Sequence, residues 1–205
     1  MAKILVLFHS WTGNVYRLAE AIAAGARTVE GCAVDLKQVP DPALPDGSLA
    51  ALRDKVVAAR KFFEQVPVAA ADTLPSYDGI AFGTPTRLGT MSPAMRQFLD
   101  QTGSFYLTGA LAGKPATVFC STSSGGGQET TITSFWNTLA HLGMTIVPLG
   151  YRDLTITDLT EARGGGPYGA AVFSKGQGER PSIKEKTIAQ TQGRVLAEIA
   201  LKLKR

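Results

Sequence analysis

The stretch that most limits how this chain can fold is its start, where the apolar run KILVLF (3–8) passes through His9 into Ser10-Trp11-Thr12-Gly13-Asn14. Behind that turn, Val15, Leu18, Ala19, Ile22, Ala23 and Ala26 recur at helical spacing and form one apolar stripe. A short buried strand that feeds a hydroxyl-rich turn and then an amphipathic helix is the opening of a βα unit. It also creates an anion site. The free N–H groups of the first helical turn point out of the helix end, and the macrodipole favours negative charge there.

The loop chemistry narrows the anion. There is no Lys in the turn and no GxxxxGK, which excludes a nucleoside-triphosphate loop, and no GxGxxG, which excludes the dinucleotide fingerprint. GALAGKP (109–115) approaches a Walker loop but has the wrong glycine spacing, Pro115 where the hydroxyl should be, and a strand after it rather than before it. Ser10, Thr12 and Asn14 around Gly13 can hold a monophosphate by neutral donors and backbone N–H groups. This S-x-T-G-N pattern resembles the FMN phosphate loop of flavodoxin-like proteins, although an ordinary βα turn with an Asn cap uses the same residues.

The rest of the chain repeats the alternation. Ala33–Val39, Asp78–Thr84, Lys114–Ser121 and MTIVPLG (144–150) read as strands two to five. Pro40, Pro42 and Pro45 end regular structure after the second. Helices are expected over Ser48–Gln65, after the Ser92 cap with Pro93 at its first position, over Thr130–Leu142 closed by Gly143, and after the Ser182/Glu185 capping box. Such a βα succession predicts a parallel, doubly wound α/β sheet, in which ligands bind beyond the C-terminal strand ends. Three polar or glycine-rich loops fall there: SWTGN, PTRLG (85–89) and STSSGGG (121–127). Thr86 and Arg87 offer a hydroxyl and a guanidinium, and the glycines let backbone approach a flat ring.

Composition restricts the setting. A 205-residue chain with 44% hydrophobic and 19% charged residues is read as one domain over 1–205, with an elaboration at about 41–76. There is no signal-peptide pattern and no membrane-spanning run. Cys32 and Cys120 are far apart, so a reducing, cytoplasmic setting is expected. With two histidines and no ligand cluster, no metal is expected. The net charge of +4 is scattered, apart from the tail Lys202–Arg205, and does not suggest nucleic-acid binding.

Taken in order, SWTGN, FGTPTRLGTMSPAMRQFLDQTG (82–103), STSSGGGQETTITSFWNTLAHLGM (121–144), VPLGY (147–151) and RGGGPYGA (163–170) resemble the WrbA family of NAD(P)H:quinone oxidoreductases. The resemblance implies a flavodoxin-like five-stranded sheet of order 2-1-3-4-5 with helices on both faces, resident FMN, and a homotetramer. It implies two-electron reduction of quinones at the expense of NADH or NADPH. Carried over by position, Ser10, Trp11, Thr12, Gly13, Asn14 and Val15 match the FMN phosphate loop. Thr86, Arg87 and Leu88 match a second FMN segment. Ser121, Thr122, Ser123, Ser124, Gly125 and Gly126 match a third. His141 matches a catalytic histidine beside the flavin, and Tyr106 an aromatic, usually Trp, that contacts the second substrate. Thr12 also matches a position where a Tyr can contact the nicotinamide dinucleotide. Thr12 has no ring, Tyr106 replaces Trp, and Leu88 stands where Phe is common. The 41–76 stretch has the least family character, and no function is assigned to it. A flavodoxin-like electron carrier or an FMN-bound interaction module is the alternative to an enzyme.

Overall fold

The apolar run at the start forms β1 (Ala2–Phe8), an interior strand of a parallel sheet, buried along almost its whole length. The computed structural model describes residues 1–41, 43, 46–176 and 178–204; Pro42, Pro45 and Arg205, named above, lie outside them. β2 (Cys32–Gln38) and β3 (Gly79–Pro85) flank β1, and β4 (Pro115–Thr122) pairs with β3. The order β2-β1-β3-β4-β5 matches the expectation.

The last lane of the sheet is built from two pieces. β5 (Thr145–Ile146) pairs with Pro115 and Ala116 only, and β6 (Ala171–Phe173) pairs with Cys120–Thr122 at the other end of β4. The run 144–150 therefore delivers two ladder residues where seven were expected. Pro148 has no N–H to donate, so the ladder ends near it and the chain leaves the sheet. The excursion returns through the RGGGPYGA segment, where a Cβ on Gly169 would lie 2.3 Å from the Val118 carbonyl oxygen. Only glycine lets that backbone press against β4.

Among the described residues six α-helices cover the sheet: α1 (Asn14–Arg27), α2 (Arg53–Arg60), α3 (Pro93–Asp100), the single turn α4 (Phe105–Thr108), α5 (Gln128–His141) and α6 (Ile183–Leu203). Alternation along β1 sends Ile4, Val6 and Phe8 towards α1 and α6, and Leu5 and Leu7 towards α3 and α5. No helix among the described residues is long and apolar enough to cross a membrane. α1 and α6 cross in near contact. A Cβ on Gly193 would meet the Ile22 carbonyl oxygen at 1.9 Å, and one on Gly25 would meet that of Gln190 at 1.9 Å. Gly193→Ala is expected to destabilise the fold by about 1–3 kcal/mol through overpacking. Urea unfolding measures this, and an unchanged midpoint would show that the crossing can spread at no cost.

The helix expected over Ser48–Gln65 is broken. Gly47–Leu52 is a 3₁₀ turn, α2 follows with eight residues, and Lys61–Gln65 is in turns. Gln38 satisfies carbonyls in the turns beyond it: the side-chain amide donates to Val66 O at 2.7 Å and to Phe63 O at 3.2 Å. Phe63 still reaches the core, with its ring against Phe8 and Tyr16.

Candidate cofactor site

Register brings the three loops together. In the sheet Phe8 is beside Gly83, and Pro85 is beside Ser121, so the turns after β1, β3 and β4 leave the same edge. His9 N–H donates to Gly83 O at 2.9 Å and Thr86 N–H to Ser121 O at 2.8 Å, which ties each loop to the next. Between them lies a cleft of about 300 Å³ whose walls include Ser10, Trp11, Thr12, Asn14, Val15, Thr86 and Arg87, with Ser121, Thr122 and Ser123 opposite. A second cleft of about 580 Å³ shares Thr86, Arg87, Thr122 and Ser123 and adds Leu88, Ser124 and Gly126.

The helix ends at this edge are open to a ligand. The N-cap residue of α1 is Gly13, with φ +81°, and that of α5 is Gly127, with φ +79°; neither helix has a side-chain cap. By contrast, α3 is capped by Ser92 and α6 by the Ser182/Glu185 box. The Asn14 amide donates to the Thr12 hydroxyl at 3.1 Å, holding the loop in shape while the N–H groups of the α1 first turn stay available.

Under the loop, Asp41 gathers three donors. Its carboxylate accepts from the Trp11 indole at 3.0 Å, pairs with His9 Nε2 at 2.7 Å, and has the Arg60 guanidinium at 3.4 Å. Burial disfavours the Asp41 charge, but the bonds from His9 and Trp11 and the Arg60 charge outweigh it and hold the carboxyl below its ordinary range. A depressed carboxyl stabilises the fold above its unfolded value, about 3.9, and the contribution is lost as pH falls through the folded value. Trp11 is therefore expected to stay anchored at neutral pH and to release only below about pH 4. Trp11 emission in a Trp136→Phe background reads this, and Asp41→Asn should remove the transition. The Trp11 ring in turn supports Arg87, whose guanidinium lies 4.6 Å from its centroid. Burial pulls the Arg87 guanidinium below its ordinary value.

The second loop is a tight hairpin. Arg87 and Thr90 exchange backbone hydrogen bonds at 2.9 Å, and Leu88 (φ +50°) with Gly89 (φ +81°) occupy the left-handed positions of its turn. Leu88 is rare in that conformation and is wholly exposed at the cleft rim. In the third loop the Thr122 hydroxyl donates to Gly126 O at 2.7 Å and closes the turn. Beneath it, burial pushes the Cys120 thiol up to about 12, so it is a structural thiol.

Tyr106 and His141 are brought together elsewhere. Both line a separate cavity of about 310 Å³ with Arg96, Asp100 and Thr138. α5 carries Gln128 at the cleft end and His141 at the other, about 20 Å away at 1.5 Å per residue. In the first cleft the sequence does not point to Leu52, Lys55, Ser174 and Lys175. The first two belong to the 41–76 segment, which has little family character. The other two follow β6, whose three residues are too few for a strand pattern, though a Ser-Lys pair after an apolar AVF is visible.

A parallel sheet of this order, with two uncapped helix ends and three loops around one cleft, is a flavodoxin-like fold built to take a phosphorylated flat cofactor. The profile of the NADPH-dependent FMN reductase family matches residues 2–154, and the chain belongs to that family. It is an FMN-linked oxidoreductase, with NAD(P)H as the electron donor. Among solved structures, it is similar to a flavodoxin, WrbA-like protein from Agrobacterium tumefaciens, at 22% identity over 100% of both chains with a TM-score of 0.67. It is similar to a flavodoxin from the domain Archaea, at 18% identity over 97% of this chain and 99% of that one with a TM-score of 0.62. A flavone reductase matches at 14% identity over 97% of this chain and 63% of that one, with a TM-score of 0.63.

Proposed function

We propose that this protein is an NAD(P)H:quinone oxidoreductase of the WrbA type, acting in the cytoplasm as a homotetramer of single FMN-binding domains. The observation that carries the substrate class is the second cleft. About 580 Å³ of open space adjoins the phosphate-loop cleft, with the exposed Leu88 side chain and glycine backbone among its walls. A flat acceptor can lie there against a cofactor ring.

The chemistry that bound FMN supplies is hydride-level, two-electron exchange. Ser10, Thr12, Asn14 and the N–H groups of the α1 first turn hold its phosphate. Arg87 and the backbone N–H groups of the 86–88 and 121–126 loops oppose negative charge on the ring, and Trp11 keeps Arg87 in place. The Ser121–Gly126 glycines keep side chains from crowding that surface. Within one chain His141 and Tyr106 stand a helix length from the loops, so a second subunit has to present them. There His141 donates a hydrogen bond to the quinone oxygen and Tyr106 stacks on the quinone ring.

The deciding experiment mixes the FMN-loaded protein anaerobically with NADH or NADPH and follows flavin absorbance, then adds benzoquinone. Bleaching that the quinone reverses supports the enzyme. A flavin that dithionite reduces but neither nucleotide bleaches would reassign the chain as an electron carrier or interaction module, with Thr12 in place of a stacking ring as the physical reason. His141→Ala is expected to lower quinone turnover about a hundredfold, the lower end of the range for a general acid, while FMN content stays constant. Unchanged turnover would remove His141 from the mechanism.

A further inference from the structure

The 41–76 segment, to which the sequence assigns no function, forms one wall of the phosphate cleft. α2 lies directly over the phosphate loop: a Cβ on Gly13 would sit 3.9 Å from the Ala59 methyl. Val56 and Ala59 are buried, which sets the rotation of the helix, and the cleft wall receives Lys55 with Leu52 one turn before it. The segment is held at both ends of the loop, by Arg60 on Asp41 and by Phe63 between Phe8 and Tyr16. Across the cleft, Lys175 enters from the end of β6.

The phosphate loop itself carries no cation, whereas these two lysines line the cleft beside it. Among the described residues neither has a carboxylate partner. Asp41 is engaged by His9, Trp11 and Arg60, and Glu179 by Lys186. A phosphate monoester carries close to two negative charges at neutral pH. Charge-assisted contacts to it are stronger than neutral ones and weaken with salt.

We propose that Lys55 and Lys175 are phosphate-binding residues, and that the 47–60 segment closes the phosphate end of the cleft with positive charge. The assignment rests on the FMN reading of the site. It makes cofactor retention salt-dependent, which a cradle of neutral donors alone would not.

The test titrates the apoprotein with FMN and, separately, with riboflavin, which lacks the phosphate, by quenching of flavin fluorescence at low and high sodium chloride. Lys55→Gln is expected to weaken FMN about tenfold, the equivalent of one charge-assisted contact, and to leave riboflavin unchanged. The salt dependence should become shallower. Lys55→Arg should keep most of the FMN affinity, and Lys175→Gln should behave like Lys55→Gln. Equal losses for both flavins would mean that Lys55 merely supports the fold, and no loss would remove it from the site; either result overturns the proposal. A parent protein that binds FMN no tighter than riboflavin would overturn the cofactor reading and the lysine assignment together.

Discussion

Gly13→Val is expected to yield a folded protein that is purified almost free of FMN. Residue 13 has φ +81°, a conformation that β-branched side chains avoid. Its missing Cβ faces the Ala59 methyl at 3.9 Å, so two further methyls would press on α2. Relief comes by turning residue 13 to negative φ, which swings the loop N–H groups away from the phosphate position. Loss of two bonds to a charged group, at about 1.5 kcal/mol or more each, corresponds to roughly a hundredfold weaker binding. The fold should survive, because the α1 stripe and its crossing with α6 lie further along. The flavin-to-protein absorbance ratio measures the effect, and a normal ratio would refute the cradle.

Glu185→Ala is expected to be the most damaging single change to stability, at about 3–5 kcal/mol for stranding a buried charge. The fully buried Glu185 carboxylate accepts N–H bonds from Gly164, Phe173 and Ser182, each at 2.8 Å, and pairs with buried Arg180 at 3.2 Å. These contacts root the excursion between β5 and β6 and hold β6 against β4. Without the carboxylate, Arg180 is left as a buried guanidinium with no counter-charge. Because β6 delivers Ser174 and Lys175 to the cleft, FMN affinity should fall with stability. Urea unfolding and flavin titration of the variant read both effects. Glu185→Gln should lose less, since the amide oxygen can still accept some of those bonds. A Glu185→Ala midpoint equal to that of the parent would show that the excursion is rooted elsewhere.

Ser92 and Ser182 cap α3 and α6 as their spacing announces, because capping depends on neighbours three residues apart. The three loops and their common edge are equally readable in the sequence, since strand-turn-helix punctuation is local. The departures from expectation have one cause in common. β6 is three residues long and exists only because β4 offers an unpaired end. The run at 144–150 looks like a whole strand, but Pro148 and the pull of the excursion leave it two ladder residues. α2 is eight residues long, and the turns that follow it are held by Gln38, far away in sequence, through the carbonyls of Phe63 and Val66.

The sequence by itself determined the parallel α/β layering, the phosphate-loop chemistry and the caps of α3 and α6, because periodicity, turn residues and cap residues act over a few positions. Only the tertiary structure decided which residues stand around the cleft. Lys55 and Lys175 face it from elements 120 positions apart, and Tyr106 meets His141 a helix length away from it. Those placements are set by which strand ends and helix faces remain unpaired once the sheet has formed, and no local pattern encodes that.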